Sequence, residues 1–186
     1  MIELPKYTVP TYDPRGFAEN ERTDFTRRIP ALPEKQLARD AKIVGQIIRA
    51  YEAGDNEAVL DIFRRKARLL SNPRYWEVMR TVWVAVGSTE TAPLFRTLMQ
   101  SSRPCRSWFM TPEDAAALEA MPFPLTVWRA YDTDTDTGIS WTLDKEWCEG
   151  YAATHGRKVK IRVVSREEIF AYVSRRGEEE IIILQE

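Results

Sequence analysis

The sequence predicts an α+β protein in which a helical region precedes a β-rich region. Apolar residues between positions 33 and 100 recur every three or four residues, which is the spacing of one buried helical face. Beyond position 123 the pattern changes to short runs of β-branched and aromatic residues, which are typical of strands. With 44% hydrophobic and 30% charged residues among 186, the chain has enough apolar material for a core and enough charge for a hydrated surface.

The helical region is expected to cover residues 33–120, behind an irregular N-terminal arm of residues 1–32 that contains four prolines. Asp55, Asn72 and Thr111 are predicted to cap helices, because short polar side chains accept hydrogen bonds from the free N–H groups of a first helical turn. The predicted helices are residues 33–51, 55–70, 72–87, 91–100 and 111–118.

The β-rich core is expected to cover residues 121–186 and to pack with the helical region as one globular unit. A helix is predicted over Asp144–Thr154, where Trp147 and Tyr151 share one face. Ser165 and Glu168 are predicted to cap a short helical turn that ends near Tyr172. The predicted strands are residues 125–131, 139–143, 158–164 and 181–184.

Composition excludes several classes of function. Lys and Arg total 27 against 28 Asp and Glu, so the chain lacks the basic excess of a protein whose main ligand is duplex DNA. Two cysteines and the single His155 cannot form a disulfide framework or a zinc site, which favours a metal-free protein in a reducing, cytoplasmic setting. The N-terminus lacks a secretory pattern, and no apolar run approaches the roughly 18 residues of a membrane span.

The acidic run of residues 132–138 is predicted to be a solvated connection between two strands. Counted from Asp132, a calcium loop requires Gly at the sixth place and Glu at the twelfth, whereas this sequence has Thr137 and Leu143 there. The run therefore does not fit a calcium site.

Charged residues in the strands predict a site in the C-terminal region. Arg129 lies within a predicted strand, where a buried guanidinium requires an anion such as a carboxylate or a phosphate. Alternation would place Glu178 and Glu180 on one face and Glu179 on the other, so that two carboxylates could share acid–base work. The structural alternative is that Arg129 forms an ordinary interior ion pair with one of these glutamates.

The order Arg129, Ser140-Trp141-Thr142 and Glu178-Glu179-Glu180 resembles the Arg–Ser–Glu class of mono-ADP-ribosyltransferases, in particular its bacterial and phage members. The resemblance covers residues 123–186. It implies a mixed β core of two packed sheets behind a helical region, NAD as the substrate, no metal, and a catalytic cleft among the C-terminal strands.

The resemblance also implies a role for each matching residue. Arg129 would bind the phosphate side of NAD and maintain the cleft, and the backbone at Ala130 would meet the nicotinamide carboxamide. Many relatives have glycine after the arginine, so Ala130 departs from the family pattern. Ser140 would orient the catalytic glutamate, and Thr142 would support the strand end. Glu180 would bind the ribose 2′-hydroxyl and stabilise an oxocarbenium-like transition state.

Glu178 would act on the incoming nucleophile, and a glutamate at that place accompanies arginine acceptors in the family. Trp141 replaces a threonine of the commoner pattern and is expected to point away from the ribose, while residues 174–177 would recognise the target. The expected activity is ADP-ribose transfer to a host macromolecule, with protein arginine as the leading acceptor, by an effector or toxin in a bacterial or phage-infected cytoplasm. NAD hydrolysis, modification of nucleic acid or a small molecule, and an inactive binding protein of the same fold are the alternatives.

Overall fold

A computed structural model describes residue 29 and residues 32–133, 136–175 and 178–185 of the chain. The arm predicted over residues 1–32 therefore lies outside the described residues except at Ile29, which is buried, and Leu32. The α-helices in the described residues are α1 (Glu34–Glu52), α2 (Asn56–Lys66), α3 (Asn72–Val86), α4 (Ala92–Met99), α5 (Pro112–Ala120) and α6 (Lys145–His155). The strands are β1 (Leu125–Tyr131), β2 (Ser140–Thr142), β3 (Lys158–Val164), β4 (Ile169–Arg175) and β5 (Glu178–Ile183).

The helical region follows the predicted order closely, so the α+β prediction is confirmed. The carboxylate of Asp55 accepts a hydrogen bond of 2.9 Å from the N–H of Ala58 and caps α2 as predicted. At the start of α3 the cap residue is Ser71 rather than Asn72. The Ser71 hydroxyl and N–H instead bind the buried carboxylate of Asp40 at 2.5 and 3.1 Å, which joins this turn to α1.

The five described strands form one antiparallel sheet in the order β3-β1-β2-β5-β4. β1 pairs with β3 along its whole length, whereas its ladder with β2 consists of the single pair Trp128↔Thr142. The two packed sheets that the family resemblance implies are not seen in the described strands. The physical reason is that the short β2 pairs with β1 on one side and with β5 on the other, which keeps both halves in one sheet.

Two local predictions near the C-terminus are wrong. The capping box of Ser165 and Glu168 is present, but its 3₁₀ turn ends at Glu168, and the residues that follow form β4 instead of a helical turn to Tyr172. β5 begins at Glu178 rather than at Ile181, so the three glutamates lie within the strand. Pairing between the apolar strands β4 and β5 explains both differences, because each strand completes the hydrogen bonds of the other.

Apolar clusters pack against both faces of the central strands, whereas Ile161 and Val163 of the edge strand β3 are exposed. Residues from α1 to α4 form a large cluster around the fully buried Trp76, and Phe170 and Ile182 of the sheet belong to the same cluster. A smaller cluster joins Leu118 of α5 to Ile181 and neighbouring strand residues on the opposite face. The helical region therefore packs directly against the strand that carries the predicted catalytic glutamate. In the described part of the chain, no helix combines the length and the apolar character that a membrane span requires.

Candidate active site

The buried carboxylate of Glu180 is the centre of the candidate site. Glu180 lies in β5 with 5% of its surface exposed. The hydroxyl of Ser140, on the neighbouring strand β2, donates a hydrogen bond of 2.5 Å to Glu180 Oε1. The indole Nε1–H of Trp83, near the end of α3, donates to Oε1 at 3.2 Å and to Oε2 at 3.3 Å. This carboxylate is therefore held in place by β2 of the β-rich region and by α3 of the helical region.

Strand register brings Thr142 and an aromatic side chain to the same face as Glu180. Thr142 lies directly opposite Glu180 on one side and opposite Trp128 on the other, and facing residues of an antiparallel pair share a face. Thr142 Oγ1 also accepts a hydrogen bond of 3.0 Å from the N–H of Asp144. The Asp144 carboxylate accepts one of 2.8 Å from the N–H of Trp147 and caps α6. Thr142 thus connects the end of β2 to the start of α6.

Arg129 is buried and is bonded to the connection that leads into β2. Its guanidinium donates hydrogen bonds to the carboxylate of Asp136 and to the carbonyl oxygen of Gly138, and it forms an ion pair with Asp136. The N–H of Gly138 donates to the same Asp136 oxygen at 2.9 Å. The prediction of a solvated connection is wrong at Asp136, whose side chain is only 4% exposed, because the buried guanidinium requires an anion there.

Arg129 and Trp141 lie on the sheet face opposite Trp128, Ser140 and Thr142, as strand alternation predicts. The Arg129 Cζ atom is 5.7 Å from the centre of the Trp141 ring, within the range of a cation–π contact. The ladder between β1 and β2 is only one residue pair long. Arg129, which is bonded to Gly138 just before β2, therefore also lines a cleft on the other face.

A cleft of about 430 Å³ joins these groups. The helical region contributes Trp83 and residues 87–90 to its lining, α6 contributes Trp147, Cys148 and Tyr151, and Arg157 follows from the turn before β3. The structure brings together in this cleft five residues to which the resemblance gives a role in the NAD site: Arg129, Ala130, Ser140, Thr142 and Glu180. A cleft of this size falls within the range of small-molecule sites.

Aromatic rings and an arginine form the α6 wall of the cleft. The Trp147 and Tyr151 rings are nearly parallel with centres 5.3 Å apart, and the His155 ring lies 4.1 Å beyond Tyr151. Arg157 Cζ is 5.4 Å from the centre of the Tyr151 ring, and its Nε atom is 3.0 Å from a carboxylate oxygen of Asp132. His155 lies in the last turn of α6, and its Nδ1 atom is 2.9 Å from the Tyr151 carbonyl oxygen.

Two titratable groups of the lining have shifted pKa values. A hydrogen bond from the Ser88 side chain is the main cause that lowers the pKa of the exposed Glu90 carboxyl. Burial raises the pKa of the Cys148 thiol, and the nearby carboxylates of Glu149 and Asp144 raise it further. Cys148 is therefore a neutral thiol at physiological pH, which makes it a poor nucleophile.

The remaining glutamates of the predicted motif differ in what the structure describes. Glu179 is exposed, and its backbone carbonyl accepts a hydrogen bond of 3.0 Å from the N–H of Leu143. The side chain of Glu178 and residues 176 and 177 of the predicted recognition loop lie outside the described part of the chain. Among the residues that are described, no group of three or more His, Cys, Asp or Glu side chains could hold a metal ion.

Comparison of the chain with protein-family models, with curated proteins and with solved structures gives no significant match. The assignment of a function to the cleft therefore depends on the side chains that line it.

Sequence reasoning missed several residues of the site. The resemblance implies a cleft among the C-terminal strands, whereas the helical region lines part of it through Trp83 and residues 87–90. The sequence patterns assign no site role to Trp83, Asp136, Tyr151 or Arg157. An acid in a short connection after a strand arginine was the available signal for Asp136, but no local pattern distinguishes Trp83 from an ordinary core tryptophan.

Replacing Gly138 with alanine is expected to destabilise the protein by about 1–3 kcal/mol, the usual cost of overpacking. A Cβ atom at this position would lie 2.6 Å from Cζ and Nη2 of Arg129, so the buried guanidinium would have to move. Urea unfolding measures the change in free energy. Gly150→Ala in α6 is the control, because a Cβ atom there has no neighbour within 4 Å and alanine favours the helix. Equal stability of Gly138→Ala and the unchanged protein would contradict the close contact.

Proposed function

We propose that this chain is an NAD-dependent mono-ADP-ribosyltransferase with an ADP-ribosyltransferase-like β core. In the proposed reaction, the bond between C1′ of the nicotinamide ribose and the ring nitrogen breaks and nicotinamide leaves. C1′ then bonds to a nucleophilic atom of the acceptor, which loses a proton. The observation that carries the proposal is the buried Glu180 carboxylate, which faces a cleft and is held by Ser140 and Trp83.

A fixed carboxylate suits this reaction because positive charge develops on the ribose as nicotinamide departs. A carboxylate that is already oriented stabilises that charge without the cost of reorganising during the reaction. Ser140 supplies the orientation by its hydrogen bond to Oε1, and Glu180 would accept a hydrogen bond from the ribose 2′-hydroxyl. The chemistry requires no metal.

The lining of the cleft is also suited to a dinucleotide. Trp128, Trp147 and Tyr151 provide apolar ring surface for planar groups, and Arg129 and Arg157 provide two cations for a diphosphate. Arg129 is already bonded to Asp136 and Gly138, so its first role in the proposal is to maintain the cleft by fixing the connection into β2. Arg157 is the cation on the opposite, α6 side.

The proposed acceptor is an arginine side chain of a host protein. Glu178, two residues before Glu180 in the same strand, would orient the acceptor or accept its proton. A nucleic-acid acceptor is disfavoured, because the net charge of −1 offers little attraction for phosphates. The proposed setting is the cytoplasm of a bacterial or phage-infected cell.

The decisive experiment incubates the protein with NAD labelled in its adenylate part, with and without a bacterial lysate. Free nicotinamide is measured by chromatography, and label on macromolecules is tested for sensitivity to protease and to nuclease. Release of nicotinamide with protease-sensitive label supports transfer to protein, and mass spectrometry of the labelled peptides tests for arginine. Nicotinamide release without macromolecular label indicates NAD hydrolysis, and nuclease-sensitive label indicates a nucleic-acid acceptor. Absence of nicotinamide release, together with no NAD binding by calorimetry at millimolar NAD, would reject the enzyme.

A further inference from the structure

We propose that Trp83 of the helical region is a positioning residue that fixes the orientation of the Glu180 carboxylate. This inference rests on the proposed function, because the orientation matters only if Glu180 is catalytic. It assigns to α3 a part in the reaction, in addition to its part in the core.

The geometry of the contact supports this role. The indole nitrogen lies 3.2 Å from Oε1 and 3.3 Å from Oε2 of Glu180, so its N–H points between the two oxygens. An indole is a donor only, and a carboxylate is an acceptor only, so the direction of the bond is fixed. Trp83 is 3% exposed and Glu180 is 5% exposed, which strengthens a hydrogen bond to a charged group. Together with the Ser140 hydroxyl on Oε1, the indole restricts rotation of the carboxylate.

The surroundings hold the Trp83 ring in place. The Phe95 ring of α4 packs edge-on against it at a centre-to-centre distance of 5.0 Å. Gly87, which ends α3, allows the indole to lie across the last helical turn. A Cβ atom on Gly87 would be 2.8 Å from Cδ2 and Cε3 of the indole and 2.5 Å from the Trp83 carbonyl oxygen. A side chain at position 87 would therefore displace Trp83 without removing its N–H.

This hydrogen bond predicts a specific pH effect. A donor to the ionised carboxylate favours that form and lowers its pKa, so loss of the donor raises the pKa of Glu180. If activity requires the ionised carboxylate, the acid limb of the pH–activity profile then moves to higher pH. Glu90 and Cys148 line the same cleft, with a lowered and a raised pKa respectively. Both groups are present in each variant, so a difference between the acid limbs of the variant and the unchanged protein reports on Glu180. Arg129 and Arg157 are the cations of the lining.

The first experiment measures nicotinamide release against pH for Trp83→Phe, which keeps an aromatic ring and removes the N–H. We expect the acid limb of kcat to move up by about one pH unit and kcat at neutral pH to fall about tenfold, the equivalent of one hydrogen bond to a charged group. Trp76→Phe is the matched control. Trp76 lies on the same helix and is fully buried, and its indole donates to the carbonyl of Pro104 at 2.9 Å instead of to a carboxylate. Its acid limb should not move.

The second experiment does not depend on activity. In a two-dimensional ¹H–¹⁵N spectrum, the Trp83 indole signal is the one that is missing in Trp83→Phe. We expect this signal to shift in Glu180→Gln, while the Trp76 signal stays in place. Gly87→Ala should shift the same signal and move the acid limb to higher pH. The added methyl group displaces the Trp83 indole but leaves its N–H in the protein.

These outcomes separate the two proposals. Wild-type protein that neither releases nicotinamide nor binds NAD rejects the proposed function, whereas the spectra still test the hydrogen bond. If Trp83→Phe is active and its acid limb matches that of the unchanged protein, the positioning role of Trp83 is rejected and the proposed function stands. If the Trp83 indole signal of folded Glu180→Gln has the same chemical shift as in the unchanged protein, the hydrogen bond between Trp83 and Glu180 is rejected. A raised acid limb in Trp83→Phe and Gly87→Ala, but not in Trp76→Phe, supports the inference.

Discussion

Replacing Glu180 with glutamine is expected to lower the rate of nicotinamide release from NAD by about 10²–10³-fold. Glutamine has nearly the same shape and keeps an oxygen that can accept from Ser140 or Trp83, so the packing of the site should survive. Glutamine lacks the negative charge that stabilises the positive charge on the ribose as nicotinamide departs. Both ADP-ribose transfer and NAD hydrolysis should fall, because both begin with the same bond cleavage. Initial rates at saturating NAD measure the effect, and thermal unfolding verifies the fold.

The neighbouring glutamates provide the controls for this experiment. Glu178→Gln should lower transfer to an acceptor more than hydrolysis, since its proposed partner is the incoming nucleophile. Glu179→Gln should leave both rates close to those of the unchanged protein, because Glu179 is exposed and alternation points it to the other face. Equal losses at all three positions would identify the run as a general acidic cluster and contradict the assignment of Glu180.

Replacing Asp114 with alanine is expected to destabilise the fold by about 3–5 kcal/mol, the cost of breaking a buried ion pair from one side. The Asp114 side chain is 1% exposed and lies 3.0 Å from Nη2 of Arg80 in α3. Its Oδ1 atom also accepts hydrogen bonds from the N–H and hydroxyl of Ser174 in β4, at 3.1 and 2.5 Å. One carboxylate in α5 therefore joins the helical region to the sheet, and its loss leaves the Arg80 charge in the interior without this partner.

The control for Asp114 is an ion pair of the same chemistry at the surface. Asp61 and Arg65 lie 2.8 Å apart on α2, and their side chains are 47% and 75% exposed. Solvent screens such a pair, so Asp61→Ala should cost less than about 1 kcal/mol. Urea unfolding of both variants gives the two free energies. A loss at Asp114 no larger than that at Asp61 would show that the buried ion pair does not contribute to stability.

Local sequence patterns determined most elements of this fold. Helical spacing of apolar residues located α1 to α4, and the runs of β-branched residues gave the bounds of β1 and β3 as the structure has them. Such patterns succeed because each depends on neighbours within a few residues. They failed at β4, where a correct capping signal at Ser165 and Glu168 was extended into a helix that strand pairing with β5 prevents.

The candidate site, like the fold, was predictable from the sequence only in part. Arg129 and Glu180 were apparent from the sequence, because an arginine within a predicted strand and three acids beside an apolar strand are both unusual. Ser140 followed from the family resemblance. The partners of these residues were not apparent. Asp136 lies in an acidic connection that has the composition of a solvated loop, and only the buried guanidinium makes it an interior residue.

The contact between Trp83 and Glu180 is the clearest feature that only the tertiary structure decided. The two residues are 97 positions apart, and each fits an ordinary local role, one as a core residue of a helix and the other as an acid of a strand. Their meeting depends on how the helical region packs across one face of the sheet, through the cluster that contains Trp76, Phe170 and Ile182. Burial of apolar surface is not directional, so the sequence determined which faces are buried, but only the packed structure determined which faces meet.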